Sequence, residues 1–229
     1  VEVLARWEHP DLGVLTPDKF LGIAKQLGLE AELDGCIFDT AVAQMNSLRA
    51  EGILVPRVAF NVSAPRIMQP SFIESVRARI PDHRENFAFE ILESISCEDE
   101  GEALIFCIDA LKDMGFQIDV DDFGSGHASI NGVLNIEPDA LKIDRNIIFP
   151  LGKSERAERM VASVVDLAHT LDVKIIAEGV DTIEKAKTLG EIGCDILQGF
   201  YFSKPRSFEA LKQNLMRLDR DWARAESEG

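Results

Sequence analysis

The sequence predicts an α/β fold, a (β/α)8 barrel of the TIM type, from three observations. Strand-like and helix-like segments alternate strictly along 229 residues, a pattern that implies a parallel sheet covered by helices. Nearly every strand carries a polar or charged residue at or near its C-terminal end, the end at which barrel active sites lie. One strand, alternating through Phe116, Ile118 and Val120, ends in Asp121-Asp122 and passes straight into a Gly-X-Gly turn, Gly124-Ser125-Gly126, so two adjacent carboxylates sit at a strand's exit. A hydrophobic content of 46% over this length suits a single domain, residues 1–229, around one core.

The elements follow in order. Residues 1–6 open directly in a strand with Glu2 among apolar neighbours. Thr16-Pro17-Asp18 supplies an N-cap, a proline at the first helical position and an acid in the first turn, so a helix runs from there to Gly28. A second helix covers about 31–50 and stops at Gly52; a short buried strand at 57–62 carries Asn61 near its exit. Ser71 caps a helix that Pro81 closes, and the strand at 87–92 contains Glu90. A helix over 97–114 ends at Gly115 and delivers the chain into the strand at 116–121. Strands at 140–143, 174–178 and 195–199 then alternate with helices over 154–171, 182–189 (stopped by Gly190) and 207–225. Seven strands result, and eight close a barrel. The expectation is therefore an eighth strand upstream of Val1, the chain being an N-terminally truncated part of a longer, multidomain parent.

Composition excludes several classes. A formal net charge of −16 argues against DNA binding, which needs Lys and Arg to displace counterions from many phosphates. An acidic protein can still take a small phosphorylated ligand if metal ions supply local positive charge. Cys36, Cys97, Cys107 and Cys194 lack metal-ligand spacing and read as free thiols of a reducing compartment. No apolar run reaches membrane-spanning length. The expected location is the cytoplasm, either free or as the cytoplasmic domain of a membrane-anchored parent, with no membrane insertion by this domain.

The strand-end residues are Glu2, Asn61, Glu90, Asp121, Asp122, Lys142, Glu178 and Gln198. Taken singly, each is more simply a satisfied core polar group or a turn former. Repetition on all seven strands is different, because burying such groups costs several kcal/mol each unless they are paired or metal-bound. Adjacent Asp121 and Asp122 repel, and a cation relieves that repulsion. Five carboxylates, one amide oxygen and no histidine form a hard-oxygen set, suited to Mg²⁺ or Mn²⁺ rather than Zn²⁺.

The ordered motifs Glu2-Val3-Leu4-Ala5-Arg6, Asn61-Val62-Ser63, Glu90-Ile91-Leu92-Glu93, Asp121-Asp122-Phe123-Gly124-Ser125-Gly126, Leu141-Lys142-Ile143-Asp144, Ala177-Glu178-Gly179-Val180 and Gln198-Gly199 closely resemble the EAL-domain family of cyclic-di-GMP phosphodiesterases, over residues 1 to about 205. The resemblance implies an EAL-like barrel whose first strand lies upstream and runs antiparallel to the rest. It implies hydrolysis of cyclic-di-GMP to linear pGpG with two Mg²⁺ or Mn²⁺ ions. Glu2, Asn61, Glu90 and Asp121 would bind one metal; Asp121 and Asp122 would face the second, with Glu178 nearby as ligand and catalytic group. Lys142 and Gln198 would handle the attacking water, Lys142 either orienting it or offsetting developing charge. Arg6 looks like the family's phosphate contact, and Glu93 like the anchor of the loop after Asp122. The resemblance also brings an expected upstream sensor or cyclase-like domain and allows a homodimer.

The chain departs from the family pattern at Val3 in place of alanine, at Ser125-Gly126-His127-Ala128-Ser129, at Asp181 in place of glutamate, and at Leu92 in place of threonine. None of these removes an expected ligand; they bear on how the loop orders the second metal. The alternative is a catalytically silent receptor for the same nucleotide, and a more distant one is an enolase-type lyase with Lys142 as base.

Overall fold

A computed structural model describes residues 1–80, 82–92, 101–124 and 134–227, with side chains as far as residue 217. Seven strands form one sheet in the order β1 (Glu2–Val3), β4 (Val58–Asn61), β5 (Phe87–Leu92), β6 (Gln117–Phe123), β7 (Ala140–Ile143), β8 (Lys174–Ala177) and β9 (Ile196–Leu197). Every neighbouring pair is parallel. β1 and β9 are the edge strands, yet Gln198 Nε2 donates to Glu2 Oε2 at 2.5 Å. A sheet whose two edges meet through one side-chain hydrogen bond must be curled into a barrel, open along the line between those strands.

Strand register explains how the sequence sorts its residues. Glu2 lies opposite Ala59, Asn61 opposite Glu90, Glu90 opposite Asp119, Asp119 opposite Ala140, Lys142 opposite Ile176, and Ile176 opposite Ile196. Residues paired across strands share a face, as do residues two apart along one. Glu2, Asn61, Glu90, Asp121, Lys142, Glu178 and Gln198 therefore fall on a single inner face. The other face holds Phe60, Phe89, Ile118, Val120, Leu141 and Ile175, all buried under helices. Phe38 of α2 (Glu30–Ala50) packs on Phe60 at 5.1 Å between ring centroids, and Phe89 meets Phe116 at 5.4 Å. Each such pair adds about 0.5–1.5 kcal/mol beyond the area it buries.

The remaining helices are α1 (Pro17–Gln26), α3 (Ala64–Ile67), α4 (Phe72–Arg79), α5 (Gly101–Asp113), α6 (Arg145–Ile148), α7 (Glu155–Thr170), α8 (Ile183–Ile192) and α9 (Phe208–Ser227). Sequence expectations hold for the long helices within a few residues, the expected start of the helix over 97–114 lying outside the described residues, and differ in three places. The helix expected to stop at Gly190 continues to Ile192; Gly193, at φ 103°, takes the left-handed cap, and its N–H is bonded to the carbonyls of Leu189 and Gly190. Trp7–His9 (β2) and Gly13–Leu15 (β3) form a separate antiparallel hairpin that the alternation of strands and helices does not include. The four-residue helices α3 and α6 were not foreseen, being too short to show a period.

The far end of the barrel is tied by acids that precede strands. Asp139 accepts the Ile118 N–H at 2.8 Å, and Asp195 accepts the Ile175 N–H at 2.7 Å, each joining a strand's entry to the strand before it in sequence. Below the functional layer, fully buried Asp119 pairs with the Arg57 guanidinium, whose Nε donates to Gln117 at 2.8 Å. No described helix is long and apolar enough to cross a membrane.

Candidate active site

Seven strand-end residues converge at one mouth. The Lys142 ammonium, 1% exposed, lies 2.8 Å from Glu178, 2.9 Å from Glu90, 3.2 Å from Asp121 and 3.8 Å from Glu2. All four are ion pairs by distance. Asn61 Nδ2 donates to Glu2 Oε1 at 3.1 Å, and Gln198 donates to the other oxygen of the same carboxylate. Glu178 and Gln198 stand one residue beyond β8 and β9, but their N–H groups extend the ladder to Ile143 and Ala177.

Asp122 reaches the site by a different route. Simple alternation would turn it to the outer face, away from Asp121. The register of β6 against β7 shifts between Val120 and Phe123, and Asp122 takes φ 57°, so a bulge re-aims it. Carboxylate oxygens of Asp121, Asp122 and Glu178 then lie within 4.8 Å of one another. Glycines follow three of these groups for steric reasons. A Cβ at Gly179 would come within 2.7 Å of Arg145 Cβ, and one at Gly124 within 2.4 Å of Ile147 Cδ1; at Gly199 it would come within 2.1 Å of the Val180 carbonyl oxygen.

The electrostatics are lopsided. Four carboxylates surround a single ammonium, and a fifth, Asp122, adjoins them. Burial pushes the Glu90 carboxyl up to about 8 despite the pull of Lys142. Burial likewise raises Glu178 against the pull of Lys142, and it raises Asp122, with Asp121 and Asp144 adding to the effect. For Lys142, burial works against the charge, but Glu90, Asp121, Glu178 and Glu2 outweigh it and hold the pKa above the ordinary lysine value. Glu90 Oε2 is buried with no hydrogen-bond partner among the described residues. An excess of oxygen ligands, an orphaned carboxylate oxygen and, among the described residues, no nitrogen or sulfur donor fit a hard divalent cation.

One sequence-selected residue among those described is not brought into this cluster. Arg6 is exposed, and its guanidinium donates to the neighbouring Ala5 carbonyl at 2.6 Å. Glu93 and the loop 125–129, with His127 and Ala128, lie outside the described residues. Asp181 instead pairs with Lys185 at 2.9 Å. Sequence reasoning passed over Asp144, which is buried, caps α6 by accepting the Asn146 N–H at 2.9 Å, and faces Asp122. Its signal is an Asp three residues before an apolar pair, an N-cap pattern.

The EAL domain matches residues 1–205. The chain belongs to the EAL domain family. Among EAL relatives, the bifunctional diguanylate cyclase/cyclic di-GMP phosphodiesterase MucR of Pseudomonas aeruginosa is 34% identical over 214 residues, covering 92% of this chain and 31% of its own. Cyclic di-GMP phosphodiesterase NbdA of the same organism is 33% identical over 222 residues, covering 94% of this chain and 28% of its own. The chain thus spans about a third of the length of these relatives. The solved structure of PaMucR phosphodiesterase in complex with c-di-GMP superposes with a TM-score of 0.84 at 34% identity, over 92% of this chain and 86% of that one. The EAL assignment agrees with the α/β barrel expected from the strand and helix alternation.

Proposed function

We propose that this EAL domain hydrolyses cyclic-di-GMP to linear pGpG with two Mg²⁺ or Mn²⁺ ions. The observation that carries the proposal is the convergence of Glu2, Asn61, Glu90, Asp121, Lys142, Glu178 and Gln198 on one barrel mouth, in a chain similar to enzymes of that activity. Glu2, Asn61, Glu90 and Asp121 would hold one cation; Asp121, Asp122 and Glu178 would hold the other. When bound, such ions supply a deprotonated water and neutralise the phosphate's non-bridging oxygens.

The chain's own groups do the rest. Lys142, kept charged by its carboxylate ring, is a fixed point charge for the electron-rich phosphorane and is unsuited to act as a base, which disfavours the lyase reading. Gln198 holds Glu2 and keeps an amide at the mouth. Arg6, free to swing from its exposed position, contacts a phosphate, and Glu93 anchors the loop after Asp122. The attack of water on phosphorus breaks one P–O3′ bond, and that oxygen leaves as the 3′-hydroxyl after taking up a proton. The acidic surface disfavours DNA as a partner. MucR, which combines a cyclase and a phosphodiesterase, supports a cyclase-like domain upstream in the parent, and a homodimer is compatible with the fold.

Turnover of cyclic-di-GMP with Mg²⁺ or Mn²⁺, followed by chromatography of the products, should give pGpG alone. EDTA should abolish turnover, and Ca²⁺, with its longer and looser coordination, should inhibit it. Full activity in EDTA would contradict the mechanism. Tight binding with no turnover under any metal would transfer the reading to a silent receptor.

A further inference from the structure

Asn61 differs from the other members of the cluster in one respect: it is exposed, so packing does not fix its side chain. Its orientation depends on its bond to Glu2 and on the backbone that follows it. Two successive N–H groups past β4 are tied down. That of Val62 donates to the Glu90 carbonyl at 3.1 Å, and that of Ser63 donates to Asp34 Oδ2 at 2.9 Å. The first bond extends the sheet ladder; the second comes from a different layer. Asp34 stands on α2 one turn before Phe38, whose ring is buried against Phe60 and Phe89 at 5.1 and 6.0 Å. The carboxylate is therefore carried by a helix that the core holds rigidly. The backbone at Ser63 is thus held from that helix.

We propose that Asp34 is a positioning residue for the metal site, fixing the exit of β4 through the Ser63 N–H and so aiming the Asn61 amide oxygen at the cation that Glu2 and Glu90 share. The inference rests on the reading of Asn61 as a metal ligand. A charge-assisted bond from an acid to a backbone N–H is among the stronger hydrogen bonds. Partners that orient metal ligands typically carry a tenfold or larger share of metal affinity. An acceptor at residue 34 is what the backbone needs, so asparagine, which keeps a carbonyl oxygen there, should restore much of the effect.

The test is Mn²⁺ binding, followed by electron paramagnetic resonance of the free ion, alongside kcat and the metal concentration giving half-maximal activity. Asp34→Ala should weaken Mn²⁺ binding about tenfold while kcat at saturating metal falls far less. Asp34→Asn should recover most of the affinity. If Asp34→Ala does not fold, Asp34→Glu, which keeps the charge but shifts the acceptor by one methylene, should show the same split at smaller amplitude. Unchanged Mn²⁺ affinity in folded Asp34→Ala, or equal loss in Asp34→Ala and Asp34→Asn, would overturn the inference while leaving the proposed function intact. Failure of the unmutated protein to bind Mn²⁺ would overturn the reading of the metal site itself, and this inference with it.

Discussion

Lys142 is the residue on which the proposed chemistry turns, because it is a buried cation whose carboxylate neighbours outnumber it. Lys142→Ala is expected to lower kcat by about 10²–10³, the scale on which losing one electrostatic stabiliser acts, with little change in substrate affinity. Calorimetric titration with cyclic-di-GMP beside single-turnover hydrolysis separates the two effects. Lost binding with an unchanged single-turnover rate would mean that Lys142 holds the phosphate in the ground state. At this scale the sequence was legible where a polar residue interrupts an apolar strand close to its end. It was less so one position pair deeper. Asp119 and Asp121 share the inner face of β6, yet Asp119 is neutralised by Arg57, 62 residues away in the chain, and belongs to the barrel's structural layer. Nothing local distinguishes a metal-binding acid from a structurally paired one. Asp122 was picked for standing beside Asp121, and only the bulge, invisible in the sequence, explains how neighbours of opposite alternation reach one site.

Among the elements, strands and long helices could be read from period and caps, whereas their ends depended on tertiary contacts. The glycine that ends α8 is Gly193, the one needed at a left-handed φ, and not the earlier Gly190. Strand entries are governed by Asp139 and Asp195, which a turn reading does not anticipate. Asp195 gives an element-level prediction. Burial alone would raise its pKa, but the Ile175 N–H and His169, 3.0 Å away, outweigh this and hold the carboxyl below the usual range. A depressed folded-state pKa means that the unfolded chain takes up the proton first. The contribution is thus full above the ordinary aspartate pKa and is lost as pH falls through the folded value. Asp195→Asn should lower the melting temperature slightly near neutrality, and its difference from the unmutated protein should vanish in acid. A difference constant from pH 7 to pH 2 would deny the charge any role. Gly199→Ala is the steric counterpart. Its Cβ would overlap the Val180 backbone, so Gln198 must shift or the β8–β9 contact must open. Reduced thermal stability together with reduced turnover is expected, and an undisturbed melting curve would show that the backbone has room to yield.

For the molecule as a whole, a net charge of −16 and an acid-rich mouth make divalent cations natural ligands of the folded state. Two effects can be confused here: general screening of negative charge, and occupancy of the site. Screening depends on ionic strength and should be reproduced by NaCl. Site binding stabilises by mass action, about 2.7 kcal/mol when the free ion stands at a hundred times its Kd. For a chain of this size that corresponds to a rise in Tm on the order of 5–10 °C. Mn²⁺ should therefore raise the melting temperature of the metal-free protein in a saturable way that NaCl of matched ionic strength does not. Glu90→Gln provides the internal control. Burial already disfavours the charged form of Glu90, so an isosteric amide should fit the metal-free fold. The same change would remove a charge from the proposed ligand set, and with it most of the expected Mn²⁺-dependent rise. If Glu90→Gln and the unmutated protein gain the same number of degrees from Mn²⁺, the ions are acting on the surface charge, and the convergence of acids at the barrel mouth does not constitute a metal site.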